Sequence, residues 1–284
     1  MASPTVRRWQ IAYELRNMRG DRTQKEVAKA LGVAQSSITR WEDPRGMLPR
    51  ARDLRLLLEY YELSPQRIEE MLNLRRDAEQ RGWWQTYRLD KQYETFIGLE
   101  ADSARIQSFQ SQIITGLLQT EGYARAVLRA TRPEATADEV EQLLQVRMTR
   151  QDRWATNNNV KLWAILGEAA LRQVVGSRAI MVEQIEHLHE LSLHPRVTLQ
   201  VLPFDSAAHP ALETTSFQVF QLADLPLSAV FLDSRTGSLY LEDPHEIEDY
   251  EDLFNKLRAA AQDIEPTRQM LSSVARDHRE RAAQ

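Results

Sequence analysis

Four polar side chains share the exposed face of one short predicted helix, and their chemistry is that of groups that read DNA bases. They are Gln35, Ser36, Thr39 and Arg40. Such side chains donate and accept hydrogen bonds at base edges when the first turn of a helix enters a major groove. Gln24 and Lys25 begin the preceding predicted helix, where contacts to phosphate fix the register on the duplex. The candidate chemistry is therefore recognition of double-stranded DNA.

The segment TQKEVAKALGVAQSSITRWE, residues 23–42, contains the signals that would position these side chains. Thr23 and Glu26 form a capping box that starts one helix. Gly32 stands where that helix must end in a left-handed turn. The apolar positions of the two helices are Val27, Leu31, Ile38 and Trp41. An ordinary helical hairpin with a polar surface is the alternative, but the combination in one window favours a DNA-binding helix-turn-helix.

Three further predicted helices complete a five-helix head at residues 1–81. They cover Ser3–Met18, Ala51–Glu62 and a segment from Ser64-Pro65 to about Gln80. The positions of Arg16 and Glu42 predict an ion pair between the first helix and the end of the recognition helix.

Residues 82–100 are predicted to form a junction that contains Trp83 and Trp84, with a short strand at Tyr93–Gly98. Residues 101–284 are predicted to form an α+β domain with a mixed or antiparallel sheet. Its predicted strands are Lys161–Leu166, Thr198–Leu202, Ser216–Leu222, Ala229–Asp233 and Ser238–Leu241. Its predicted helices are Gly116–Thr131, Ala137–Trp154, Ile180–Leu193, a long helix capped by Asp243-Pro244, and a tail from Pro266. The chain as a whole is mainly α.

The charge is distributed unevenly along the 284 residues, whose net charge is −5. Residues 1–58 carry 12 Lys/Arg and 6 Asp/Glu, whereas residues 59–284 carry 24 and 35. Positive charge therefore accompanies the predicted recognition helix, as counterion release from DNA requires. The absence of cysteine fits a reducing cytoplasm. No apolar run reaches the ~20 residues of a membrane span, so we expect a soluble protein.

No catalytic signature is present: the sequence lacks a glycine-rich phosphate loop, an HExxH motif and a GxSxG motif. His187, Glu190 and His194 share a helix face, but it is the solvated face, so no metal site or cofactor is predicted. His209, His245, Glu168 and Glu242 are the residues that an HTH-fused enzyme would use, and that is the weakest of the alternatives.

Two sets of residues in the remaining chain are candidates for binding a partner or effector. Arg125, Arg147 and Arg150, with Gln151, flank helical stripes; they either form internal ion pairs or bind carboxylates on a partner. Trp83 and Trp84 either form a hydrophobic joint or transmit a signal. A small-molecule effector pocket above the sheet is the second possibility, with Trp163, Phe217 and Phe231 as its lining.

The segment at 23–42 resembles the Xre, or lambda-repressor-like, helix-turn-helix. RGWW (81–84), GLLQTEGYAR (116–125), RMTRQ (147–151), EAALRQVVG (168–176) and VLPF (201–204) extend the resemblance to the actinobacterial WhiJ-like, antitoxin-like regulators. The sequence departs from this pattern at IITG before Leu117, where a Pro-Gly is usual, and in the long loop Asp43–Arg50 with its two prolines.

The resemblance implies a DNA-binding regulator that works with a small protein partner encoded nearby. We therefore expect a non-catalytic, sequence-specific transcriptional regulator in the cytoplasm, associated with the nucleoid. Because one head covers little DNA, it is expected to bind as a homodimer.

Overall fold

The computed structural model describes residues 3–80, 82–87, 89–156, 160–223, 226–234 and 237–283. The chain divides into two compact units, Met1–Asp102 and Ser103–Gln284. The described residues form twelve α-helices and a six-stranded sheet, so the predicted fold class, mainly α with an α+β second part, is confirmed.

The first unit begins with five helices, and the three that follow Ser3, Thr23 and Ser64 have a side-chain cap at the first turn. The five helices are α1 (Pro4–Arg19), α2 (Gln24–Leu31), α3 (Gln35–Trp41), α4 (Ala51–Tyr60) and α5 (Pro65–Ala78). The hydroxyls of Ser3 and Ser64 accept hydrogen bonds from Val6 and Arg67 in the first turns of α1 and α5. Both helices carry proline at their first position, where the missing N–H costs nothing.

One apolar core holds these five helices together. Each helix contributes side chains that are nearly inaccessible to water: Ile11, Leu15, Val27, Ala28, Ile38, Leu54, Leu57, Leu58, Ile68 and Met71. Because every helix buries its stripe against the others, the unit fixes the relative positions of α2 and α3.

The segment predicted as a strand at Tyr93–Gly98 is instead part of a helix, α6 (Lys91–Asp102). The side chains of Phe96, Ile97 and Leu99 are buried. Gly98 allows a close approach to α1, since a Cβ there would lie 2.5 Å from the Cβ of Thr5. Packing against α1 therefore overrides the local preference of these residues for extended structure.

The second unit contains one mixed sheet with the strand order β3-β2-β1-β4-β5-β6. The strands are β1 (Ser103–Gln110), β2 (Lys161–Gly167), β3 (Val197–Leu202), β4 (Phe217–Leu222), β5 (Ser228–Ser234) and β6 (Gly237–Leu241). β1 pairs in parallel with β2, and β2 with β3, whereas β4, β5 and β6 are antiparallel to their neighbours. The five predicted strands are present, and β1 is an additional strand at the centre of the sheet.

Helices connect and cover the strands of this unit. They are α7 (Glu121–Thr131), α8 (Ala137–Thr156), α9 (Glu168–Arg172), α10 (Arg178–Leu191), α11 (Pro244–Ala260) and α12 (Ile264–Ala282). The predicted helix from Gly116 is interrupted, because Gly116–Leu118 forms a short 3-10 turn before α7 begins. No helix in the described part of the chain is long and apolar enough to cross a membrane.

Candidate nucleic-acid interface

Helix α2 begins and ends with the geometry that its sequence predicts. The Thr23 hydroxyl accepts a hydrogen bond from the amide of Glu26, and the Glu26 carboxylate accepts one from the amide of Thr23 at 2.7 Å. These bonds lower the pKa of Glu26, that from the Thr23 backbone most strongly. Gly32 ends α2 with φ 65° and ψ 30°, a left-handed conformation that favours glycine.

Helix α3, the predicted recognition helix, has one buried face and one exposed face. Ile38 is completely buried, and Trp41 packs at the edge of the same core. The four candidate base-reading side chains, Gln35, Ser36, Thr39 and Arg40, are all exposed. The fold therefore presents them together on the face opposite Ile38.

Two of these exposed side chains are oriented by hydrogen bonds within the unit. The Arg40 guanidinium donates through Nε to the backbone carbonyl of Ser36 at 3.0 Å. The Thr39 hydroxyl donates to the side-chain oxygen of Gln24 at 2.8 Å. Gln35 and Ser36 lie in the first turn of α3, the part of a recognition helix that approaches base edges most closely.

A buried carboxylate, that of Glu42, ties the end of α3 to α1 and α2. Glu42 is 4% exposed, and its Oε1 accepts from Arg19 Nε at 2.7 Å. Its Oε2 accepts from Gln24 Nε2 at the same distance. The predicted Arg16–Glu42 ion pair is wrong, because Arg16 donates to the backbone carbonyl of Glu42 at 2.9 Å and Arg19 is the ionic partner.

The candidate phosphate-binding residues lie at the start of α2. Lys25 is exposed and Gln24 is partly buried between Thr39 and Glu42. A side-chain amide nitrogen carries two N–H groups, so the bond to Glu42 leaves one for a phosphate oxygen.

Arg22, just before α2, lies 5.9 and 5.8 Å from the ring centroids of Tyr60 and Tyr61. Burial, together with the Glu42 charge, raises the pKa of Tyr61 to about 12.

Trp83 and Trp84 lie in a short 3-10 turn of the first unit. Trp84 is 3% exposed, and its ring meets that of Trp83 edge-on at 5.8 Å between centroids. Gly82 is required there, since a Cβ would lie 2.5 Å from the Trp84 ring. Arg81, the first residue of the RGWW motif, lies outside the described residues.

The arginines of the second unit are placed among polar groups of the same unit. Arg125 pairs with Glu121 at 2.6 Å and with Glu141 at 2.8 Å. These two carboxylates raise the pKa of Arg125, that of Glu141 most strongly. Arg147 donates to the side-chain oxygen of Gln119 at 2.6 Å, while Arg150 is buried.

The sheet face expected to line an effector pocket is covered by α11. Trp163 and Phe217 pack against Phe254, with ring centroids 6.3 and 6.4 Å away. Phe231 instead meets Tyr240 of the neighbouring strand at 5.2 Å. Phe217 and Phe254 are both essentially inaccessible.

The histidines considered for chemistry are dispersed. His187 lies half-buried on α10, and this burial lowers its pKa. Across the described ranges, no three His, Asp or Glu side chains are grouped to hold a metal ion. Glu168 is engaged by Arg172 and accepts a hydrogen bond from the amide of Phe204 at 2.8 Å.

Sequence reasoning missed Arg19, whose ion pair with Glu42 helps to position α3. Arg16 and Arg19 are three positions apart, which places them on one face of α1. No local signal distinguishes which of them binds a carboxylate and which a carbonyl. The position of Arg19 on the same face of α1 as Arg16 is therefore the one signal in the sequence that could have indicated Arg19 as a partner of Glu42.

Two family models match the chain. A helix-turn-helix domain matches residues 10–71, which include the whole of α2 and α3. A Domain of unknown function (DUF5753) matches residues 93–273, more than half of the chain. No match was found among curated proteins, and none among solved structures.

Proposed function

We propose that this chain, which belongs to the DUF5753 family and carries an N-terminal helix-turn-helix domain, is a sequence-specific transcriptional regulator that acts without catalysis. The exposed polar face of α3, supported from behind by the buried Ile38, is the observation that carries the proposal. Gln35, Ser36 and Arg40 contact bases and Thr39 supports them. Gln24 and Lys25 hold phosphate.

Charge and size support this assignment and indicate a dimer. The net charge of +6 on residues 1–58 provides the attraction to DNA, while the acidic remainder limits non-specific binding. Since α3 has only seven residues, one copy reads few base pairs. A homodimer on a two-fold symmetric site doubles the contact area. Such a regulator works in the cytoplasm, where it associates with the nucleoid.

The second unit, in this proposal, binds a small protein partner that adjusts DNA binding. The resemblance to WhiJ-like, antitoxin-like regulators supports a partner encoded nearby. Arg125 is a candidate contact because its guanidinium is partly exposed between two carboxylates and can exchange one of them for a partner's carboxylate. Arg147 and Arg150 are the other candidates in the second unit. Trp83 and Trp84 are separate candidates, in the first unit.

Selection of binding sites from random duplex DNA tests the regulator proposal. The full chain should enrich a motif with two-fold symmetry, and the double variant Gln35→Ala/Arg40→Ala should lose it. Arg76→Ala, which removes an exposed arginine of α5, is the control and should leave the motif unchanged. Absence of enrichment by the unmodified chain, or an unchanged motif in the double variant, would overturn the proposal.

The partner proposal requires a separate experiment. A small polypeptide that co-purifies from the native host should be identified by mass and added back to the pure chain. We expect it to change the affinity for the selected site, and Arg125→Ala to weaken its binding. Arg129→Ala, one turn further along α7 and exposed, is the matched control. No change in DNA affinity with the added polypeptide would contradict a regulatory partner.

A further inference from the structure

An apolar row of side chains crosses the sheet of the second unit and ends on an exposed leucine. Register partners on one face of five neighbouring strands form this row, which consists of Ile165, Phe109, Phe217, Leu232 and Leu239. Ile165, Phe109 and Phe217 are at most 1% exposed, whereas Leu239 on β6 is 51% exposed. Burial of the row therefore stops at the strand with which the sheet ends.

The two ends of this sheet have different surroundings. At the β3 end, the amide of Val201 donates to the Thr267 hydroxyl at 3.1 Å, and its carbonyl accepts from the amide of Gln262 at 2.8 Å. At the other end, β5 is the only strand of the described ranges that pairs with β6. The protein therefore covers the edge of β3 with its own chain, while β6 is a terminal strand.

β6 carries none of the devices that commonly keep a terminal strand from pairing with another chain. Such strands are usually protected by charged side chains, by proline or by a bulge. The sequence of β6, GSLYL, contains neither a charge nor a proline. Its five pairs with β5 follow in unbroken register from Val230–Leu241 to Ser234–Gly237. β6 is therefore a regular, uncharged strand of the kind that accepts a further strand.

The sequence of β6 is complementary to itself in an antiparallel pairing. In an antiparallel ladder, alternate residues exchange hydrogen bonds with the strand on one side, and the residues between them with the strand on the other. A register centred on Leu239 pairs Ser238 with Tyr240 of the copy, and Gly237 with Leu241, so each pair joins residues of the same alternation. Leu239 then faces Leu239 of the copy, and each leucine covers the other.

We infer that β6 pairs antiparallel with β6 of a second copy of this chain, so that two six-stranded sheets become one continuous sheet with Leu239 at its two-fold axis. This rests on the proposed function, which expects a homodimer, and places the contact surface of that dimer in the second unit. The apolar row then continues from Leu239 of one copy to Leu239 of the other. Both copies use the same strand, and the β3 edge of each sheet is covered, so the association closes at two copies.

Disulfide cross-linking of the full chain tests this register. The sequence contains no cysteine, so one introduced thiol reports on one position. Leu239→Cys should form a covalent dimer under mild oxidation, because directly opposed residues lie ~4.5–5.5 Å apart at Cα, within the range of a disulfide. Ser238→Cys is the register control and should not, since its two copies would lie about 8 Å apart at Cα. Leu212→Cys, at a side chain that is 74% exposed, controls for random collision.

Sedimentation equilibrium measures the association itself. Leu239→Lys opposes two ammonium groups across the axis and should raise the dimer dissociation constant about 10-fold or more, whereas Leu212→Lys should leave it unchanged. Circular dichroism establishes whether Leu239→Lys folds; if it does not, the cross-linking result decides.

Three results would overturn this inference while a selected DNA motif still supported the regulator. They are a monomeric unmodified chain, a dimer that Leu239→Lys leaves intact, and equal cross-linking of the three cysteine variants. Failure of the unmodified chain to select any DNA motif would instead overturn the proposed function and leave the β6 dimer standing.

Discussion

Gln24, the first residue of α2, donates from its side-chain amide to the carboxylate of Glu42, the residue that follows α3, over 2.7 Å. The oxygen of the same amide accepts from Thr39 at 2.8 Å. Gln24 therefore connects the start of α2 with the last turn of α3. Because Glu42 is also paired with Arg19, the orientation of α3 depends on a buried charge.

Removal of that charge should destabilise the first unit. Glu42→Ala leaves Arg19 and the Gln24 amide without their acceptor, and we expect a loss of about 2–4 kcal/mol in the free energy of unfolding. This is less than for a fully buried pair, because Arg19 is 21% exposed. Urea unfolding followed by circular dichroism measures the change.

Exchange of charges identifies the ionic partner. The double variant Arg19→Glu/Glu42→Arg should recover part of the stability that Glu42→Arg loses, since it restores an ion pair. Arg16→Glu combined with Glu42→Arg should recover less, because Arg16 binds a backbone carbonyl. Equal recovery in the two double variants would contradict the assigned pairing.

Replacement of Arg40 tests base recognition by α3. Arg40→Ala should cost ~1–3 kcal/mol of binding free energy and relax the preference at one base pair. Fluorescence anisotropy on the selected site and on its single-base variants provides the measurement. An equal loss on all sequences would make Arg40 a phosphate contact instead.

The capping box of α2 should make the stability of the first unit depend on pH. The hydrogen bonds from Thr23 lower the pKa of Glu26, so its contribution is present above the pKa of an unfolded glutamate. It is lost as the pH falls through the lowered folded pKa. The difference in melting temperature between the unmodified chain and Glu26→Gln should therefore shrink on acidification.

Glu139 offers a parallel case in the second unit, where Thr136 lowers its pKa in the same way. The melting temperature of Glu139→Gln should likewise approach that of the unmodified chain at low pH. A melting-temperature difference for Glu26→Gln that stays constant from neutral to strongly acid pH would refute the capping role.

Phe254 anchors α11 on the sheet, and its removal should destabilise the second unit. The side chain is completely buried between Trp163 and Phe217. Phe254→Ala should cost ~3–5 kcal/mol through lost contacts and the cavity left behind. Asn255→Ala, at the exposed neighbouring position, should change the unfolding free energy little. A loss of unfolding free energy below about 1 kcal/mol for Phe254→Ala would show that packing of the Phe254 ring does not hold α11 on the sheet.

The sequence by itself determined helices α1 to α5 of the first unit and five strands of the sheet. Caps such as Thr23 and Ser64 and the turn at Gly32 act within a few residues, so their effect is independent of distant packing. The same locality placed Gln35 and Arg40 on one face of α3, since helical periodicity alone fixes which side chains lie opposite Ile38.

Only the tertiary structure decided the features that depend on residues distant in sequence. β1 escaped sequence reasoning because Gln107, Ser108 and Gln110 are buried at the centre of the sheet, where apolar residues are expected. Residues 93–98 prefer extended structure but form α6, because packing against α1 outweighs a weak local preference. The choice of Arg19 over Arg16 and the approach of Gly46 to the Arg40 carbonyl likewise arise from chain contacts that no local pattern encodes.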